Sequence, residues 1–228
     1  MRALGVAFVL LTVAPTADPA VHEHPPPVVL APGYADLEFT PPAPGSYLLP
    51  SLGVAADGAI VDSRGRALRL HELFGDKLVV MSFIFTRCSD VNGCPLATFV
   101  LRGVQDRIRA TPELRDRVRL LSFSFDPVHD TPAVLEHYAG HFRQPGFDWH
   151  FVGARSPADL APELEAYDQW VQPDVDGNFS HILRVYLIDT EKHIRNIYTV
   201  SFLHADTLLN DLRTVLAAPG VPPVPGTE

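Results

Sequence analysis

Lysine is nearly absent from this chain of 228 residues, which has Lys77 and Lys192 as its only lysines and a net charge of −9 at pH 7. Nucleic-acid-binding proteins need a basic footprint, which an acidic chain does not provide. The remaining basic residues are scattered arginines, whereas a polybasic membrane patch requires several Lys or Arg side chains together. The composition therefore excludes nucleic acid as a partner and argues against a polybasic membrane patch.

Apolar runs long enough to cross a bilayer, which takes about 20 residues, are also missing at the start of the chain. The apolar stretch from Ala3 to Val13 follows the positive Arg2 and leads into small residues up to Ala20. This pattern predicts a signal peptide over residues 1–20 rather than a membrane anchor. No cysteine follows it, so we expect no lipid anchor on cysteine. We expect an exported, periplasmic protein, in a compartment where disulfides persist.

Proline is concentrated near the beginning of the chain, where residues 15–50 hold ten of the 22 prolines. Proline lacks an N–H group and disrupts helices and central strands. We therefore expect a proline-rich linker over residues 21–51, a folded domain over 52–217 and a flexible tail over 218–228.

Cysteine occurs only twice, at Cys88 and Cys94, inside the stretch VVMSFIFTRCSDVNGCP. The apolar run from Val79 to Phe85 predicts a strand buried on both faces. Pro95 suits the first turn of a helix. Both thiols therefore lie between the carboxyl end of a central strand and the amino end of a helix. Ligands bind at that edge of an open α/β sheet, and the helix terminus favours a thiolate.

The remaining pattern alternates strands with helices. Further strands are predicted at 118–125, 148–152, 182–188 and 193–198, after a hairpin over 59–70. Helices are predicted at 95–110, 131–142, 157–167 and 204–216, and a polar loop at 168–180. This order predicts an α/β, thioredoxin-like fold, with a central mixed sheet flanked by helices and an N-terminal hairpin.

The two thiols allow three roles: a structural disulfide, a redox-active pair that cycles between dithiol and disulfide, or two thiolate ligands for a soft metal. Asn92-Gly93 is a tight-turn signal that folds Cys94 back toward Cys88. Closing so short a loop removes only about 2 kcal/mol of chain entropy, which argues against a purely structural bond.

A metal site needs further ligands. Zinc takes four, typically Cys and His, whereas Cu(I) accepts two thiolates and a third donor. His181 stands at the predicted start of a strand beside the thiol loop. Position in the sequence does not by itself select His181 over the other candidates, which are His129, His137, His141 and His150.

Acidic residues near the thiols have ordinary structural interpretations. Asp90 is expected to be a solvated loop residue. Asp126 is expected in a turn, and Asp130 or Thr131 is expected to cap the helix that Pro132 begins.

Three motifs occur together in order: Thr86-Arg87-Cys88 through Cys94-Pro95-Leu96, Phe125-Asp126-Pro127 before Asp130-Thr131-Pro132, and His181 five residues before Tyr186. Together they resemble the Sco/SenC/PrrC family over roughly residues 55 to 215. The resemblance implies a thioredoxin-like metallochaperone that binds copper, as Cu(I) or Cu(II), for assembly of a respiratory oxidase. It maps the copper ligands to Cys88, Cys94 and His181. The implied partner is a respiratory oxidase subunit or another copper protein.

The cysteine spacing departs from the family pattern, which has three residues between the cysteines. This chain has five, Ser89 to Gly93, so two residues are inserted near Asn92-Gly93. A longer loop keeps open two other functions. One is a periplasmic thiol–disulfide reductase that uses Cys88 and Cys94 on a partner's cysteines. The other is a thioredoxin-like binding module with a structural disulfide.

Overall fold

A computed structural model describes residues 28–175 and 177–217. The predicted signal peptide, the start of the linker and the C-terminal tail lie outside the described residues. Within these two described ranges, no helix combines the length and apolar character that crossing a bilayer requires.

One mixed sheet of seven strands forms the centre of the fold, in the spatial order β2-β1-β5-β4-β3-β8-β9. Its strands are β1 (Ala59–Asp62), β2 (Ala67–Arg69), β3 (Leu78–Ile84), β4 (Val118–Ser124), β5 (Trp149–Gly153), β8 (Val185–Ile188) and β9 (Ile194–Tyr198). Strands β3, β4 and β5 are parallel, and every other pairing in the sheet is antiparallel. The predicted thioredoxin-like architecture with an N-terminal hairpin is confirmed.

Six helices accompany the sheet in the described chain. They are α1 (Leu70–Phe74), α2 (Cys94–Arg109), α3 (Pro112–Arg115), α4 (Pro132–Gly140), α5 (Pro157–Ala166) and α6 (Ala205–Ala217). Helix α2 packs against β3 and α6, and α4 packs against β5. The short helix α3 was not predicted.

The central strand β3 is apolar at every position except Ser82 because it is covered on both faces. All seven of its residues are buried, and it lies between β4 and β8. Helices α4 and α5 begin where the sequence predicts. The side chains of Thr131 and Ser156 accept the capping hydrogen bonds, from Val134 N–H and Asp159 N–H. Such caps satisfy backbone donors that the first turn leaves unpaired.

The prediction of a polar loop over residues 168–180 is wrong. It contains β6 (Val171–Pro173), which pairs antiparallel with β7 (Phe179–His181) in a separate two-stranded sheet. Because 179–181 pair with β6, the chain needs residues 182–184 to cross to the main sheet, and β8 begins at Val185 rather than at Ile182. The hairpin strands are too short and too polar for an apolar periodicity to reveal them.

Asp148 joins the amino ends of the three parallel strands. Its carboxylate accepts hydrogen bonds from Lys77 (2.7 Å), from Arg119 (2.8 and 2.9 Å) and from His150 (2.8 Å). Burial alone would raise the pKa of Asp148, but the hydrogen bonds from His150, Arg119 and Lys77 lower it well below its usual range. The edge of the sheet opposite the thiols is therefore held by a partly buried ionic cluster.

Replacing Asp148 with asparagine keeps the shape of the side chain and removes its charge. We expect the free energy of unfolding at pH 7 to fall by about 2 kcal/mol, because charge-assisted hydrogen bonds are lost around two partly buried cations. Folding lowers the pKa of Asp148, so the wild-type protein has the larger free energy of unfolding above the unfolded pKa of about 3.9. This difference is lost progressively as the pH falls below that value. Urea denaturation at pH 7 and pH 3 measures both effects.

The matched control is Asp206→Asn, which removes the more exposed ion pair with Arg107. Exposed pairs contribute about 0–1 kcal/mol. Equal losses in the two variants would contradict a special role for Asp148.

Candidate metal centre

Three elements bring two thiols and one imidazole to the carboxyl edge of the central sheet. The loop 85–93 leaves β3 and carries Cys88, whose side chain is half-buried. Cys94 is buried and is the first residue of α2. His181 ends β7 and reaches the thiols from the small second sheet. These are the three residues to which the family resemblance maps copper.

The donor atoms lie close enough to share one ion. The Sγ atoms of Cys88 and Cys94 and the ligating ring nitrogen of His181 all lie within 4.8 Å of one another. The distance from Cys94 Sγ to His181 Nε2 is 3.5 Å. Bonds of about 2.0–2.3 Å around a three-coordinate metal place its donors about 4 Å apart. The described residues contain no other group of three or more Cys, His, Asp or Glu side chains with this geometry.

Aromatic side chains hold the imidazole of His181. Its ring centre lies 5.6 Å from that of Phe85 and 5.2 Å from that of Phe125. Phe179, on the same face of β7, packs against both phenylalanines. His181 Nδ1 lies 3.4 Å from the Phe179 carbonyl oxygen, a distance that suits a donated N–H and leaves Nε2 facing the sulfurs. A fixed tautomer of this kind is usual for histidines that bind metals.

None of the other candidate histidines, His129 included, belongs to this group of donors. His150 binds Asp148 at the opposite edge of the sheet. His137 and His141 face each other on α4, with their Nε2 atoms 3.4 Å apart. Tertiary placement therefore selects His181, which sequence position did not.

The two cysteines differ in their acidity. A hydrogen bond from the Cys94 side chain lowers the pKa of Cys88 to about 5, and a second from His181 acts in the same direction against burial. Burial raises the pKa of Cys94 well above its usual value. Burial pulls the pKa of His181 down, but its hydrogen bond with Cys88, the charge on Cys88 and the contact with the Phe179 carbonyl together outweigh burial, and the net shift is upward. Near neutral pH the site therefore holds a Cys88 thiolate beside a protonated Cys94.

Two carboxylates fix the start of the cysteine loop. Asp130 accepts hydrogen bonds from Thr86 N–H (3.0 Å), from the Thr86 hydroxyl (2.5 Å) and from the Ser124 hydroxyl (2.6 Å). Asp126 pairs with Arg87 at 2.8 Å. The helix cap itself is Thr131, so Asp130 holds the loop instead of capping α4. The contacts of Asp130 with Thr86 and of Asp126 with Arg87 join residues about forty positions apart, and no local sequence signal reveals them.

The family of the chain follows from comparison with known proteins. The SCO1/SenC family model matches residues 54–217, which include the whole of the site just described. The chain belongs to the SCO1/SenC family. The resemblance seen in the sequence motifs is thereby confirmed.

Individual relatives agree with this assignment. The SCO1 protein homolog of Bacillus subtilis is 26% identical over 153 residues, which cover 66% of this chain and 76% of that protein. Arabidopsis thaliana ScoI, solved with copper bound, has a TM-score of 0.60 at 21% identity over 71% of this chain and 99% of that one. A SCO1/SenC family lipoprotein of Bacillus anthracis has a TM-score of 0.65 at 22% identity, covering 73% and 98%.

A further solved relative, BsSco, is described as having a disulfide switch and as a member of the Sco family of cytochrome c oxidase assembly proteins. Its TM-score is 0.62 at 22% identity, and the match covers 73% of this chain and 96% of that one.

We expect the lowered pKa of Cys88 to be visible in its reactivity, because the thiolate is the reacting form. Alkylation of the reduced, metal-free protein by iodoacetamide should have its midpoint near pH 5 at Cys88. Cys94 should stay unlabelled, since it is buried. Mass spectrometry of peptides after timed labelling from pH 4 to pH 9 measures both rates.

The lowered pKa of Cys88 also makes the free energy of unfolding depend on pH. Because the folded pKa of Cys88 lies below the unfolded value, its contribution is complete above about pH 8.5 and is lost as the pH falls through about 5. A labelling midpoint near 8.5 at Cys88 would contradict the assigned thiolate.

Proposed function

We propose that this SCO1/SenC protein is a copper metallochaperone in which Cys88, Cys94 and His181 hold the copper it delivers for assembly of a respiratory oxidase. The observation that carries the proposal is the convergence of two sulfurs and one imidazole nitrogen within 4.8 Å. Two thiolates suit Cu(I), and an added nitrogen donor suits Cu(II).

The described residues support an order of events in capture. Cys88 is half-buried and already ionised, so it is the sulfur that an arriving copper ion meets first. Cys94 must lose its proton to bind, and metal binding of this kind releases protons. The N–H of Phe85 lies 3.4 Å from Cys94 Sγ and can donate to the ionised sulfur. Phe85 and Phe125, which are both buried, cover the imidazole of His181.

A respiratory oxidase subunit or another copper protein is the proposed receiver. A soft-metal site that exposes one of its sulfurs offers a position where a partner's own thiolate or imidazole can displace a ligand. The half-buried Cys88 is that position in this protein. BsSco, a member of the Sco family of cytochrome c oxidase assembly proteins, supports an oxidase subunit as the class of partner.

Export to the periplasm belongs to the proposal. Residues 1–20 are proposed as a cleaved signal peptide, 21–51 as a linker, 52–217 as the folded domain and 218–228 as a tail. We expect the mature protein from its native host to begin after Ala14 to Ala20. N-terminal sequencing of that protein measures this, and an intact Met1 in the cytosolic fraction would contradict it.

The acidity of the two cysteines favours one alternative, a thiol–disulfide reductase. An ionised, accessible Cys88 beside a buried, protonated Cys94 is the arrangement that thiol exchange needs. The two functions share both sulfurs and differ at His181, which only copper binding requires.

His181→Ala separates the two functions. We expect the variant to lose the thiolate-to-Cu(II) charge-transfer absorption, because Cu(II) needs the nitrogen donor, and to retain part of its Cu(I) binding through two thiolates. Disulfide formation between Cys88 and Cys94 should continue. Anaerobic copper titration followed by absorption spectroscopy measures the first two effects, and thiol counting measures the third.

His137→Ala is the matched control, because it removes an imidazole from α4 and leaves the site intact. It should keep the wild-type spectrum. A Cu(II) spectrum that survives in His181→Ala, or a wild-type protein that binds no copper, would favour the reductase.

A further inference from the structure

The described chain before residue 54, where the family match begins, includes a segment that crosses the cysteine loop. We name residues 29–35 the N-terminal arm. Its centre is a short 3-10 helix, Pro32–Tyr34, which packs against α2. The arm therefore lies outside the part of the chain that the family comparison covers, yet beside the site.

Asn92 binds the arm with both polar atoms of its side chain. Its Oδ1 accepts a hydrogen bond from Ala31 N–H at 2.8 Å, and its Nδ2 donates one to the Val29 carbonyl oxygen at 2.9 Å. The amide thus pairs with the arm backbone as a neighbouring strand would. Asn92 lies where the loop carries two more residues than the family pattern.

Other contacts hold the arm against the domain. The Tyr34 hydroxyl donates to the Val91 carbonyl oxygen, and the Tyr34 ring lies 4.9 Å from that of Phe99 on α2. Ala31 is buried. A side chain at Gly33 would collide with the Leu203 carbonyl oxygen, so the arm approaches too closely for any residue but glycine.

The Asn92 contact is connected to the copper ligands through one turn. Asn92 N–H donates to Asp90 Oδ1 at 3.1 Å, and Gly93 N–H donates to the Asp90 carbonyl oxygen at 2.9 Å. Cys94 follows directly. A Cβ atom built on Gly93 would lie 3.3 Å from His181 Nε2, so the turn lies against the imidazole. Movement of this turn therefore changes the positions of the ligands.

We propose that Asn92 is a positioning residue, which fixes the cysteine loop to the N-terminal arm and thereby holds Cys88 and Cys94 within reach of each other. The inference deepens the proposed function and rests on these two cysteines being its copper pair. On this account the two extra loop residues provide the docking point for the arm. Thiols held close have a high effective concentration, which favours their disulfide over the dithiol.

The test uses the full-length, metal-free protein equilibrated with glutathione. In this exchange Cys88 and Cys94 lose two protons and two electrons to form one disulfide, while one glutathione disulfide becomes two thiols. For Asn92→Ala we expect the equilibrium constant for disulfide formation to fall by about threefold to tenfold, because two hydrogen bonds that position the loop are lost. Amide hydrogen exchange should increase in both the arm and the loop.

Asn210→Ala is the matched control. Asn210 Nδ2 donates to the Pro42 carbonyl oxygen at 3.0 Å and to the Tyr47 hydroxyl at 2.9 Å, so it ties a later part of the same N-terminal segment to α6. For Asn210→Ala we expect the equilibrium constant for disulfide formation to stay within about twofold of wild type, since no bond to the cysteine loop is lost. An unchanged constant in Asn92→Ala, or an equal change in Asn210→Ala, would overturn the inference.

Tyr34→Phe provides a milder test if Asn92→Ala does not fold. It removes only the hydroxyl bond to Val91 and keeps the ring against Phe99. We expect a fall of about twofold to threefold in the same constant, and no change would overturn the inference. Failure of the wild-type protein to bind copper would refute the proposed function, whereas these constants are measured without metal.

Discussion

The site depends on the burial of β3. All of its side chains are buried, and the single polar one, Ser82, is paired with Ser122 on β4. The residues that can meet a ligand therefore come after the strand ends. Ile84 is the last strand residue and Cys94 the first residue of α2, which leaves nine residues to make the connection. Within that short connection the backbone N–H of Phe85 reaches Cys94 Sγ, so the end of the strand and the start of the helix meet at the second sulfur.

The sulfurs and the imidazole are one electrostatic unit. Burial keeps a proton on Cys94, and that proton stabilises the negative charge on Cys88. The same thiolate raises the pKa of His181 against the effect of burial. A cation that enters the site takes over the role of these protons, because it too neutralises charge that the aromatic surroundings do not solvate.

Periodicity predicted the main elements because their signals are local. The apolar run of β3, the cap at Thr131 and the proline in the first turn of α2 each act within a few residues. The hairpin that carries His181 gave no such signal, and the sequence placed that histidine just before the strand predicted at 182–188. The choice of histidine needed either family resemblance or tertiary structure. The roles of Asp126, Asp130 and Asn92 arise from contacts between distant residues, which a single sequence does not display.

The ionic cluster around Asp148 has a consequence for how the protein tolerates change. It holds the amino ends of β3, β4 and β5, whereas the cysteine loop leaves β3 at its carboxyl end, roughly 20 Å away for a strand of seven residues. Sites so far apart contribute independently to folding free energy. Insertions in the cysteine loop therefore leave this source of stability untouched, and a lineage can vary that loop while the sheet that supports it remains folded.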